Sequence, residues 1–78
     1  MNIQIDKLHT TQLGEERIKR NLSLETDDVV SWCKEVIRTY SADDSHVERR
    51  GKNWYVDCVK FVITVNAHSH TIITAHNK

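Results

Sequence analysis

The stretch Lys60-Phe-Val-Ile-Thr-Val-Asn66, followed by Ala67-His-Ser69 and then His70-Thr-Ile-Ile-Thr-Ala-His76, decides the fold. Two runs rich in β-branched residues flank a short polar connection, the pattern of a hairpin. A three-residue connection pairs Val65 with Thr71, Ile63 with Ile73 and Phe61 with Ala75. Strand side chains alternate, so Phe61, Ile63, Val65, Ile73 and Ala75 are expected inward. Val62, Thr64, Asn66, His70, Ile72, Thr74 and His76 are then expected on an open face.

Upstream, Gly51-Lys52 suits a two-residue turn with glycine at its first central position. It sets Val47 opposite Val56 and Arg49 opposite Trp54, and sends His46, Glu48, Arg50, Tyr55 and Asp57 to the other face. The strands are expected at about 46–50, 53–57, 60–66 and 70–76. Before them the period changes. Val29, Cys33, Val36, Ile37 and Tyr40 recur at helical spacing over about 27–40, with Thr26 or Asp27 as the cap. A further helix over about 11–22 carries Leu13, Ile18 and Leu22, with Thr10 or Thr11 as its cap and Gly14 near its first turn. Residues 41–45, Ser-Ala-Asp-Asp-Ser, form the break between helix and strand. The result is an α+β fold, two N-terminal helices packed on a four-stranded antiparallel sheet, as a single domain over 1–78.

The 78 residues leave room for one core. With 38% hydrophobic and 28% charged residues the chain is expected to fold, and neither a membrane span nor a signal peptide is legible in it. A cytoplasmic location is the expectation. Cys33 and Cys58 lie far apart without metal or redox spacing and read as buried free thiols. Eleven basic and eleven acidic residues cancel, so any polyanion must be bound by a local patch.

Four of the five histidines, His46, His68, His70 and His76, fall in the sheet region. His70 and His76, with Thr74 between them, have the chemistry to give and take protons in a metal-free phosphodiester cleavage. Arg50 and Lys52 are candidates for holding a phosphate, Tyr55 for stacking a base and Asn66 for a polar contact. An open sheet face also favours threonine and aromatic rings for its own reasons, and a basic hairpin tip blunts a sheet edge. A metal reading through His68-x-His70 and His76 lacks a carboxylate or thiolate at a recognised spacing, and no metal is expected. Without a glycine-rich nucleotide loop, cofactors are not expected either.

Thr11-Gln-Leu-Gly14, Arg17-Ile18, Asn21-Leu22, Gly51-Lys-Asn-Trp54-Tyr55 and the ending Asn66 to His76 together resemble a family of short uncharacterised bacterial proteins. The closing hairpin is also similar to the last strands of the barnase, EndoU, colicin and RelE-like ribonuclease superfamily. That resemblance implies an endoribonuclease, a toxin or phage-related nuclease, with Thr74, His76, Asn66 and Arg50 or Lys52 at its site. The alternative is a small non-enzymatic interaction module, an inhibitor or regulatory partner of another protein. RNA, a partner protein and a second copy of the chain are the partners these readings name, and a membrane is not among them.

Overall fold

Helix α1 (Gln12–Leu22) begins where Thr11 turns its hydroxyl onto the Gly14 N–H at 3.0 Å. Glu15 in the first turn and Lys19 and Arg20 in the last complement the helix dipole. The helix closes at Ser23, whose φ of 54° is left-handed. There Ser23 N–H donates to Arg20 O and Leu24 N–H to Lys19 O, the paired bonds of a Schellman turn. Helix α2 (Val29–Ser41) is capped by Asp28, one or two residues later than expected. The Asp28 carboxylate accepts from both Ser31 N–H (3.0 Å) and Ser31 Oγ–H (2.9 Å), while Thr26 accepts from Asp28 N–H instead. This computed structural model describes residues 3–78; Met1 and Asn2, at the head of the expected polar N-terminus, lie outside the described residues.

Four strands follow, β1 (Val47–Arg50), β2 (Asn53–Asp57), β3 (Phe61–Asn66) and β4 (Ile72–Asn77), in an antiparallel sheet of order β1-β2-β3-β4. The α+β arrangement is therefore the one expected. In the first hairpin Val47 faces Val56 and Arg49 faces Trp54, also as expected, and Gly51 takes the left-handed φ of 58° that the turn requires. Both helices lie on one face of the sheet. There Ile18, Val29, Cys33 and Ile37 meet Trp54, Val56, Ile63, Val65, Ile72 and Ala75 in one buried cluster.

The second hairpin departs from its expected register. Ile63 faces Ala75 rather than Ile73, Phe61 faces Asn77 rather than Ala75, and Val65 faces Ile72 rather than Thr71. The cause lies in the connection. Asn66 Oδ1 accepts from His68 N–H and Ser69 N–H, both at 2.9 Å, and His70 takes a left-handed φ of 61°, so the loop runs to Thr71. A bulge beside Thr64 and Val65 then shifts the strand by one residue. Ile72, expected outside, is fully buried, and Ile73, expected inside, is 40% exposed.

Among the described residues no fifth strand pairs with the outer edge of β4, yet several of its outward backbone groups have partners. His9 N–H donates to His70 O, and Ile72 N–H donates to His9 O at 2.7 Å. Thr10 Oγ–H donates to Ile72 O at 2.8 Å, and Asn21 Nδ2–H donates to Ala75 O at 3.2 Å. Gly14 makes this closure possible, since a Cβ there would overlap the Thr10 hydroxyl.

Cys33 and Cys58 are buried and free, as read from the sequence. Burial pushes each thiol from an ordinary value of 9.0 up to about 12; the other thiol adds to the shift at Cys33, and Asp57 adds to it at Cys58. A folded pKa raised above the unfolded one means that the unfolded chain loses these protons first. Stability should therefore fall as pH rises above about 9, and urea titrations at neutral and alkaline pH should show a shallower fall in Cys33→Ala. Gly14→Ala should gain about 1 kcal/mol from helix propensity but lose about 1–3 kcal/mol to overpacking and the broken edge bond. We expect net destabilisation of about 1 kcal/mol by urea unfolding; a stabilised variant would show that the Thr10 hydroxyl reseats freely.

Candidate functional site

Strand alternation carries a set of side chains to the face of the sheet away from the helices. Across the strands, Glu48 stands beside Tyr55, Thr64 and Thr74, while Asp57 stands beside Val62 and His76. Arg50, Asn53 and Asn66 form a third row toward the first hairpin turn. No helix covers this face among the described residues.

At its β1 side the face sinks into a depression of about 190 Å³ lined by His46, Glu48, Arg50, Tyr55, Asp57 and Val62, among others. The Arg50 guanidinium lies 4.0 Å from the centre of the Tyr55 ring, a cation–π contact, and its Nε is 3.4 Å from Glu48 Oε2. His46 places Nδ1 3.1 Å from the Asp57 carbonyl. A carbonyl only accepts, so Nδ1 carries the proton and Nε2 of the neutral ring is left as an acceptor. The Tyr40 ring holds this imidazole edge-on, with ring centres 5.4 Å apart. Lys78 Nζ at 2.6 Å and the Val59 N–H at 2.9 Å both donate to Asp57 Oδ1, and they hold the carboxyl below its usual range.

The residues singled out from sequence are divided by this geometry. Arg50 and Tyr55 meet in the depression. Thr74 and His76 stand on the same face further along, Thr74 half-buried and His76 exposed. Lys52 sits exposed at the hairpin tip, and the Asn66 side-chain oxygen is engaged in closing its own loop. His70, expected on the open face, is only 8% exposed and packs against Trp54 on the core side, with ring centres 5.5 Å apart. Its Nε2 has no hydrogen-bond partner among the described residues. The longer loop and the bulge carry it there. His70 and His76 thus lie on opposite faces, six residues and roughly 15–20 Å apart along the chain.

His46, Glu48 and Asp57 complete the depression and were not singled out as site residues. Their signal was present in the alternation around Gly51-Lys52, which places all three on one face with Arg50 and Tyr55. Among the described residues no three His, Cys, Asp or Glu side chains converge to hold a metal ion, and no helix is long and apolar enough to cross a membrane.

Fold and site together define a small α+β domain whose sheet has one covered face, one open face and one closed edge. The chain belongs to the family described as "Protein of unknown function (DUF3781)", whose model matches residues 2–76. This agrees with the resemblance to a family of short uncharacterised proteins. No curated protein and no solved structure matches the chain.

One strained element borders the site. Lys60 N–H donates to Cys58 O at 2.8 Å, closing a three-residue turn around Val59, whose φ is 72°. A β-branched residue pays for this conformation in steric strain, and Val59 is 60% exposed, so packing does not offset it. Val59→Gly should raise stability by about 1 kcal/mol in thermal or urea unfolding; an unchanged or lowered midpoint would show that the valine side chain contributes contacts outweighing the strain.

Proposed function

We propose that this chain is an interaction module that takes an extended segment of a partner protein along strand β1, beside the open-face depression. The observation that carries this reading is the asymmetry of the two sheet edges. His9, Thr10 and Asn21 close the outer edge of β4, whereas no described element pairs with the outer edge of β1. An unpaired strand presents free backbone groups, and a partner strand that takes them gains a ladder of hydrogen bonds while its alternate side chains find pockets on the sheet.

The direction of those groups follows from the ladder. Ala67 N–H donates to Lys52 O, so the Lys52 carbonyl points toward β3 and alternation turns the Asn53 backbone toward Arg50. One step on, the backbone of Arg49 points outward. A strand laid there has the Arg50–Tyr55 pair, Glu48 and His46 within side-chain reach.

The mixed charge of the depression supports a polypeptide over RNA. A phosphate approaching Arg50 meets Glu48 at the same guanidinium, and that carboxylate repels it. Metal-free cleavage also needs an acid and a base at one phosphate, which His70 and His76 on opposite faces do not supply. Arg50 over Tyr55, with Lys52 exposed at the hairpin tip, leaves RNA binding without cleavage as the second reading.

Peptides selected from a random displayed library against the immobilised protein test the proposal. Arg49→Pro removes the outward N–H without touching the β1–β2 ladder. It should weaken the selected peptides by about tenfold or more, with circular dichroism unchanged. Equal binding by Arg49→Pro would overturn strand addition, and a labelled single-stranded RNA binding where no peptide does would move the assignment to RNA.

A further inference from the structure

The loop before β4 and the N-terminal segment bring three side chains and a carbonyl into one line. Ser69 Oγ lies 2.7 Å from Thr71 Oγ1, Thr71 Oγ1 lies 3.1 Å from His9 Nε2, and His9 Nδ1 lies 2.9 Å from the Lys7 carbonyl oxygen. The carbonyl fixes the direction of every proton. It only accepts, so His9 Nδ1 carries the proton and Nε2 of the neutral ring is a free base facing Thr71. The Thr71 hydroxyl gives its one proton to that base. Its oxygen then receives the Ser69 O–H, while Ser69 Oγ accepts from Thr71 N–H at 3.3 Å.

A hydroxyl bonded to an imidazole, with the imidazole oriented by a third group, is the arrangement that activates an oxygen nucleophile. The join between the two segments does not require it. Backbone bonds from His9 N–H to His70 O and from Ile72 N–H to His9 O already hold them together. The imidazole is exposed and Thr71 only half-buried, so the oxygen is accessible from solvent.

We propose that Thr71 is an acyl acceptor, with His9 as its general base and activated acyl esters or thioesters as the substrate class. Thr71 Oγ1 attacks the carbonyl carbon while its proton passes to His9 Nε2. The bond to the leaving group breaks, and the departing oxygen or sulfur takes the proton back from His9. The products are an O-acyl threonine and a free alcohol or thiol. Ser69 is a positioning residue, whose O–H donates to Thr71 Oγ1 and so keeps the threonine hydroxyl proton turned toward His9. This site lies at the closed β4 edge and is independent of strand addition at β1.

The test uses the full chain and p-nitrophenyl acetate, following p-nitrophenolate release and locating the acetyl group by mass spectrometry. One acetyl group is expected on Thr71. Thr71→Val should lose it, and Thr71→Ser should keep it. His9→Gln should slow its formation on the order of a hundredfold, with circular dichroism unchanged because the His9 backbone bonds remain. Acetylation spread over lysines with none on Thr71, or an equal rate in His9→Gln, would overturn the proposal.

Discussion

A β-strand at the margin of a sheet must do something with the backbone groups that face outward, and at β4 that requirement organises the molecule. Leu8 enters the core, His9 pairs with β4 through its main chain, and Thr10 and Asn21 supply side-chain donors where a neighbouring strand would have supplied N–H groups. Helix α1 is therefore held against the sheet by polar bonds at its margin as well as by Ile18 in its middle. Gly14 permits the approach, because Thr10 occupies the space that any larger residue would need. Asn77 returns a bond to Asn21 O, so the strand and the helix are tied from both sides.

The fold was legible where a period repeated. Val29, Cys33 and Ile37 declare a helix with one buried side, and Val47, Trp54 and Val56 declare a hairpin whose register the Gly51-Lys52 turn fixes. The second hairpin was not legible to the same depth. Val62-Ile63-Thr64-Val65 and Ile72-Ile73 are apolar on successive positions, so alternation alone does not say which isoleucine is inside. The answer came from local polar chemistry: the Asn66 side chain caps its own loop, His70 adopts a left-handed backbone, and the bulge at Ile73 shifts the register by one residue. His70 moved from the open face to the core by the same steps.

The candidate site was legible in half. Arg50 and Tyr55 were visible because they share a face in a hairpin whose register could be read. His46 and Asp57 were visible on that face without their partnership, which depends on a main-chain carbonyl and on Lys78 at a distance in sequence. The His9–Thr71 contact spans 62 positions and could not be read at all, since nothing in the short segment around His9 announces which loop it will meet.

A sheet with one closed margin and one open margin has a built-in limit on stoichiometry. Sheets that are open on both sides can add strands in either direction and so grow into fibres. Here His9, Thr10 and Asn21 cover β4 at Ile72 and Ala75, and among the described residues β1 is the edge left without a neighbour. Joining two copies through β1 would leave a closed margin at each end, so assembly would stop at two, and a bound peptide would count one per chain.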